Sequence, residues 1–519
     1  MMHRRSGIAF AVAAGLALTL AACTSSGGGA KGSSAASGSQ THTAGGTLTV
    51  AEPQDWGSLD PDKANSATVR EPLNAVYDRL FTTSATGAIE PDLATSYTVN
   101  AGGTVYTLTL RSGVAFQDGT PFDAAAVKVN LDRVRAANSG CSCATAFQYV
   151  TSVAAQNAST VVVTLSAPDA AFPRSGLAGL GALMISPTAL QKYGADIGLH
   201  PVGTGPFEFV SAVSGYSLTL KKNPHYWKPG LPYLDGVVFK VVSDPQTEYS
   251  SVQSGAVQIA DGITATQAVQ GKSDSRVVTQ QAFGLSNYMV FFNTTTAPFN
   301  DIRARQAVTA ATDRTAINQV LNQGLSSTDV DSPFSPSNPY YPGKTVPNAV
   351  GYDLAKAKAL VAQLGGLTVT LTTIPSLETV AEALQSMWGQ AGIKTVIKSM
   401  DEAAFGAAVF GHQYQAAPFY LTPPSEDPAD TVYFVQSTSP ANALGLKDSG
   451  VDALIRAGLS ARSDSQRHEI YDQLSAKLAA LTPIDYLAAV VQFRMTSKDV
   501  HGVPMTGDRW LDLSAASLS

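Results

Sequence analysis

Nucleophiles and metal ligands are sparse in this 519-residue chain: three cysteines, and seven histidines at positions 3, 42, 200, 225, 412, 468 and 501. No two histidines stand three or four residues apart, the spacing that would set both on one helix face around a metal ion. His468-Glu469 lacks the second histidine of a zinc-protease helix. Gly271-Lys272-Ser273 and Gly343-Lys344-Thr345 resemble the end of a phosphate-cradling loop, but Thr266 and Asn338 occupy the place of the leading glycine. Neither a G-x-S-x-G elbow nor an S-x-x-K pair is present. These patterns predict no catalytic residue, no cofactor and no metal site. Cys141 and Cys143 flank a single serine, so they either close a very small disulfide loop or remain two thiols.

The third cysteine has a different setting. His3, Arg4 and Arg5 form a basic head, and an apolar run from Ile8 to Leu20 follows. The run is shorter than the roughly 20 residues a membrane-spanning helix needs, but it suits the core of an export signal. It ends in Leu20-Ala21-Ala22-Cys23, which resembles a bacterial lipobox, so residues 1–22 are expected to be removed and Cys23 to carry a lipid. The loss of Arg4 and Arg5 leaves 32 basic against 40 acidic side chains, a formal charge of -8. That balance gives no electrostatic basis for holding nucleic acid. Residues 23–46 are mostly Ser, Gly, Ala and Thr and are predicted to be a flexible tether.

Beyond the tether the chain is 44% apolar overall and only 14% charged, a composition that can fill large cores. It is also too long for a single core, which stops growing at roughly 250–300 residues. Strand and helix patterns alternate. Gly46–Glu52 reads as a strand, and Leu73, Val76, Tyr77 and Leu80 recur at helical spacing. Val105–Arg111 alternates as a half-buried strand, Asp118-Gly119 marks a turn, and Asp123 can cap a helix carrying Val127, Leu131 and Val134. Asp244-Pro245 and Asp353 are further caps, with Gly255 and Gly365 as stops. Leu367–Thr372, a helix around Val380–Trp388 and Ile393–Ile397 form a β-α-β unit. The prediction is a mixed α/β body.

Several segments share a known order. The stretch Gly87–Val134 contains Glu90-Pro91-Asp92-Leu93-Ala94, Leu110-Arg111-Ser112-Gly113-Val114 and Asp118-Gly119-Thr120-Pro121-Phe122. Val202-Gly203-Thr204-Gly205-Pro206-Phe207, Lys222-Asn223-Pro224-His225-Tyr226-Trp227 and Pro232-Tyr233-Leu234-Asp235 follow, then Phe292-Asn293-Thr294 and Pro298–Arg303. In this order and spacing the chain resembles extracellular solute-binding family 5, the group of oligopeptide-, dipeptide- and nickel-binding proteins, from about residue 47 to 519.

The resemblance implies a two-lobed, periplasmic-binding-protein-like (type II) α/β fold with an additional domain on the first lobe. The expected bounds are 47–62, 185–276 and 484–519 for the first lobe, 63–184 for the additional domain and 277–483 for the second lobe. It implies a non-enzymatic, monomeric binder that closes on a small solute or short peptide. Its partners would be the permease and ATPase of an ABC transporter, and a lipid on Cys23 would hold it at the extracytoplasmic face of the cell membrane. Peptide-binding members place an ammonium-binding aspartate where this chain has Pro424, although Asp427-Pro428 matches. A sugar, opine, siderophore or metal chelate therefore stands beside a peptide as the expected ligand, and a sensor role stands beside transport. Candidate ligand-binding residues are Glu52 and Trp56 after the first strand, Tyr288 and Phe292 at the expected domain crossing, and Tyr420 and Asp427 in the divergent segment.

Overall fold

The computed structural model describes residues 43–64, 68–84, 87–136, 139–421, 423, 425–507 and 511–519. Cys23, the export signal, all but the end of the tether and Pro424 lie outside the described residues. A mixed sheet of ten strands runs through the body, in the spatial order 393–399, 367–373, 416–420, 277–292, 484–497, 259–260, 47–52, 236–241, 217–222 and 207–213. Its two longest members, Val277–Phe292 and Ile484–Ser497, lie antiparallel at the centre. One end of Ile484–Ser497 pairs with Ile259–Ala260, and the far end of Val277–Phe292 pairs with Ala416–Tyr420. Both strands therefore cross from one half of the body to the other.

Two large apolar cores flank this crossing. One contains Leu48, Val50, Leu73, Phe172, Phe207 and Phe239. The other contains Phe291, Phe292, Phe334, Trp388 and Tyr471. Each fully buried aliphatic or aromatic side chain contributes about 1.5–3 kcal/mol, so either core can hold a lobe together. Trp388 also donates its indole N–H to Thr312 Oγ1 at 3.0 Å. The first core extends into a separate antiparallel sheet of Ala94–Val99, Val105–Leu110, Thr160–Leu165 and Val150–Asn157, backed by the helix Ala124–Val134.

Local chemistry accounts for most boundaries. Asp123 accepts from Ala126 N at 2.9 Å, Asp244 from Thr247 N at 2.7 Å and Asp353 from Lys356 N at 2.9 Å, each satisfying a first-turn donor. Gly255, at φ 77°, ends the second of these helices in the left-handed conformation. Tyr106, Leu108 and Leu110 point inward along their strand, as the alternation predicts. The helix predicted through Leu80 stops at Val76 instead. There the Val76 carbonyl accepts the Gly205 amide at 2.9 Å, and the backbone of Gly203 and Gly205 packs so closely on Val76 that any Cβ would clash. Leu80 is buried in a bend beyond this contact.

Cys141 and Cys143 are bridged, with Cα atoms 5.0 Å apart. The ring closed is so short that little chain entropy is removed from the unfolded state. The Cys141→Ser/Cys143→Ser double variant is expected to lose less than about 2 kcal/mol in urea unfolding.

Candidate functional site

At the crossing the two long strands fall out of step. Phe283 pairs with Val491 and Asn287 with Ala489, so Gly284, Leu285 and Ser286 stand opposite Val490 alone. The Gly284 carbonyl is taken by the hydroxyls of Ser335 at 2.6 Å and Ser337 at 2.7 Å. This bulge bends the strand and turns side chains into a cavity of about 330 Å³. The cavity draws its walls from both halves: Pro53, Arg70, Asp261 and Ile263 on one side, and Tyr420, Leu421 and Pro423 on the other. Strand residues Leu285, Ser286 and Val490–Arg494 form its back, and Met505 and Gly507 its remaining side.

A charge cluster stands in the first-lobe wall. Glu52 ends its strand, and the parallel register that sets Ala51 beside Ala260 brings Asp261 next to it. Glu71 comes from the first turn of the helix Arg70–Val76. Carboxylate oxygens of Glu52, Glu71 and Asp261 all lie within 4.8 Å of one another. Arg494, on the crossing strand and 3% exposed, places Nε 2.5 Å from Asp261 and Nη2 3.7 Å from Glu71. Burial works against its charge, but Asp261, Glu71 and Glu52 together hold it above the ordinary guanidinium range. Arg494 Nη1 also donates to the Pro504 carbonyl at 3.3 Å, tying the C-terminal segment to the cluster. The guanidinium supplies one positive charge beside three converging carboxylates. The arrangement is a buried ion-pair cluster in the cavity wall.

The predicted residues divide sharply. Tyr288 and Tyr420 face each other across paired strands, with ring centroids 5.5 Å apart, and Tyr420 is 46% exposed on the cavity wall. Burial, and then Tyr420, push the Tyr288 hydroxyl up to about 12. Glu52 is fully buried within the charge cluster, behind the lining Asp261 and Arg494. Trp56, at 3% exposure, belongs to the first core, and Phe292 stacks on Phe299 at 4.6 Å in the second. Asp427 is fully buried and grips Arg467 through two hydrogen bonds of 2.6 and 2.7 Å. Trp56, Phe292 and Asp427 are absent from the residues lining the cavity, and each has a packing or ion-pair role that accounts for its burial.

Sequence reasoning missed Arg70, Asp261 and Arg494. For Arg494 a signal existed, a charge set between Phe493 and Met495 in a mostly apolar strand. Asp261 and Glu71 gave none, because only the sheet register and the short helix bring them together.

A cavity shared by two lobes, backed by the strands that join them, defines a two-lobed binding protein of the periplasmic type II class. Residues 88–443 match the profile of the bacterial extracellular solute-binding proteins, family 5 middle region, and the chain belongs to that family. The glutathione-binding protein GsiB of Pectobacterium atrosepticum is 31% identical over 479 residues, covering 89% of this chain and 92% of the relative. The ABC transporter substrate-binding protein CtaP of Listeria monocytogenes superposes with a TM-score of 0.83 at 23% identity, covering 92% of this chain and all of that one. AgaA of A. tumefaciens R10, solved with agropinic acid, gives 0.75 at 26% identity, covering 91% of this chain and 99% of its own. Among the described residues no helix is long and apolar enough to cross a membrane.

Proposed function

We propose that this family 5 solute-binding protein captures a short peptide or peptide-like solute between its lobes and hands it, chemically unchanged, to an ABC importer while a lipid on Cys23 keeps it at the membrane. The cavity that draws on both lobes carries this reading. A solute filling it touches Arg70 and Asp261 on one side and Tyr420 and Leu421 on the other, so it favours the closed form through contacts the open form lacks. A size of about 330 Å³ lies at the small end of ligand pockets and suits a di- or tripeptide better than a long chain. The similarity to a glutathione-binding relative points the same way. In this reading the first lobe comprises 47–62, 185–276 and 484–519, the additional domain 63–184 and the second lobe 277–483.

A non-peptide solute is the second reading. It is favoured by Pro424, which cannot pair with an ammonium group, and by the relative solved with agropinic acid. Thermal-shift titration with glutathione, a di- and tripeptide library and an opine panel separates the two. Glutathione or a short peptide is expected to raise the melting temperature with concentration. A shift confined to the opine panel overturns the peptide assignment. Tyr420→Ala removes an aromatic wall, and is expected to weaken the stabilising solute about tenfold, on the order of 1.4 kcal/mol.

A further inference from the structure

Away from the cavity, the additional domain touches the second lobe through a compact polar patch. Ser175 Oγ donates to Asp430 Oδ2 at 2.9 Å, Ser425 Oγ donates to the same oxygen, and the two hydroxyls stand 3.1 Å apart. The Ala170 amide donates to the Leu459 carbonyl at 2.8 Å, and Arg174 Nη1 lies 3.9 Å from Glu426 Oε2. Residues 169–175 belong to one body and residues 425–459 to the other, and sequence separations of 250 and more tie them together. None of Asp169, Arg174, Ser175, Ser425 and Asp430 lines the cavity, so these contacts act on closure without touching solute.

We propose that this patch is a proton-sensitive latch: Asp430 and Asp169 are enclosed only when the lobes meet, and their protonation favours the closed form. The inference rests on the reading that the lobes part and close around a solute. The groups facing Asp430 are Ser175 from the additional domain, Ser425 and Asp427 from its own segment, Arg467 from the helix Asp464–Leu481, and Tyr433. The bridged Cys141–Cys143 loop closes another side, lining a void of about 10 Å³ with Ser175 and Asp430. Asp430 keeps some solvent contact as a residue, but its carboxyl is enclosed by these groups. Arg467 is already committed to Asp427, so the patch holds more carboxyls than its cations compensate.

Burial, with Asp427 adding to it, pushes Asp430 up to about 6 against the pull of the two hydroxyls. Burial pushes Asp169 up to about 7, opposed by the Ala171 amide and aided by Asp427. In an open molecule both carboxyls meet water and titrate as ordinary carboxylates. The closed form therefore binds more protons between about pH 4 and 7, and acidification shifts the balance toward closure. From Asp430 alone the closing equilibrium rises about tenfold between pH 7 and 5. Asp62, Asp92 and Asp485 are also raised by burial, to about 6, 6 and 7, but Asp62 and Asp92 are enclosed within the first body and Asp485 within the second. They do not distinguish open from closed.

Small-angle scattering of the solute-free chain, between about pH 8 and 5, reads this directly. The wild type is expected to contract on acidification. The Asp169→Asn/Asp430→Asn double variant, whose amides mimic the neutral carboxyls, is expected to be contracted already at the alkaline end with a much smaller response. Ser175→Ala, which removes one hydroxyl on the other body, is expected to shift the wild-type curve toward the expanded form. A wild-type radius independent of pH, or a double-variant curve that follows the wild type, overturns the latch. If a solute such as glutathione still contracts the protein in that case, the binder reading stands and only the latch falls. A radius unmoved by both pH and every solute removes both.

Discussion

Arg467→Leu is expected to lower the free energy of unfolding by about 3–5 kcal/mol, read as a fall in the urea midpoint at unchanged slope. The guanidinium is 3% exposed and holds fully buried Asp427 through two parallel bonds. Its Nε also donates to the Gly458 carbonyl at 3.1 Å, and the rings of Tyr340 and Tyr471 lie 5.2 and 5.5 Å from its centre. Burial works against the charge, yet Asp427 holds it well above the ordinary guanidinium range. Removing the arginine strands a fully buried carboxylate, and that is the costly step. Breaking the pair from the other side by Asp427→Asn is expected to cost less, because the amide still accepts one bond. The Asp427→Leu/Arg467→Leu double variant is expected to recover a substantial part of the loss, since a buried pair adds little over a well-packed apolar contact. If the double variant is as unstable as Arg467→Leu alone, the stranded charge is not the cause.

Arg494→Met carries the second large effect. Methionine roughly keeps the length of the aliphatic stem, so the change removes charge more than volume. Glu52, Glu71 and Asp261 then face one another without the guanidinium that now lies between them. A loss of about 3–5 kcal/mol near neutral pH is expected. Arg494→Lys, which keeps a positive charge beside the carboxylates, is expected to lose less. Equal losses in the two variants assign the effect to packing instead. Because Arg494 and Asp261 line the cavity, Arg494→Met should also lose solute-induced stabilisation.

Much of the fold was legible because its signals are local. Asp123, Asp244 and Asp353 cap helices by reaching a backbone amide within three residues, so their neighbours in the chain suffice to predict them. The motifs around Glu90–Ala94 and Val202–Phe207 mark the family through tight turns and close backbone approaches such as that of Gly205 to Val76. The same approach explains the failed helix at Leu80, whose spacing is helical but whose chain is stopped by a contact from more than a hundred residues away.

The site was harder for a related reason. Tyr288 and Phe292 share a strand and a residue type, yet Tyr288 meets Tyr420 beside the cavity while Phe292 stacks in a core. Aromatic character cannot separate these fates. What does is the slip of pairing between Tyr288 and Met289, which depends on Ile484–Ser497 some two hundred residues later. For Asp427 the difficulty is the opposite one: a carboxylate in a divergent segment suggests a ligand, while the partner it meets in the fold, Arg467, sits forty residues on in a helix.

Native mass spectrometry of the purified protein tests most directly whether two lobes shut on a guest and release it intact. The compound it carries is identified, released, and titrated back against the melting temperature. The expected result is a compound of unchanged mass that returns with stabilisation rising in concentration, about 2.7 kcal/mol at a hundredfold excess over its Kd. A compound that leaves with an altered mass, or one whose return moves neither the melting temperature nor the radius of gyration, contradicts it.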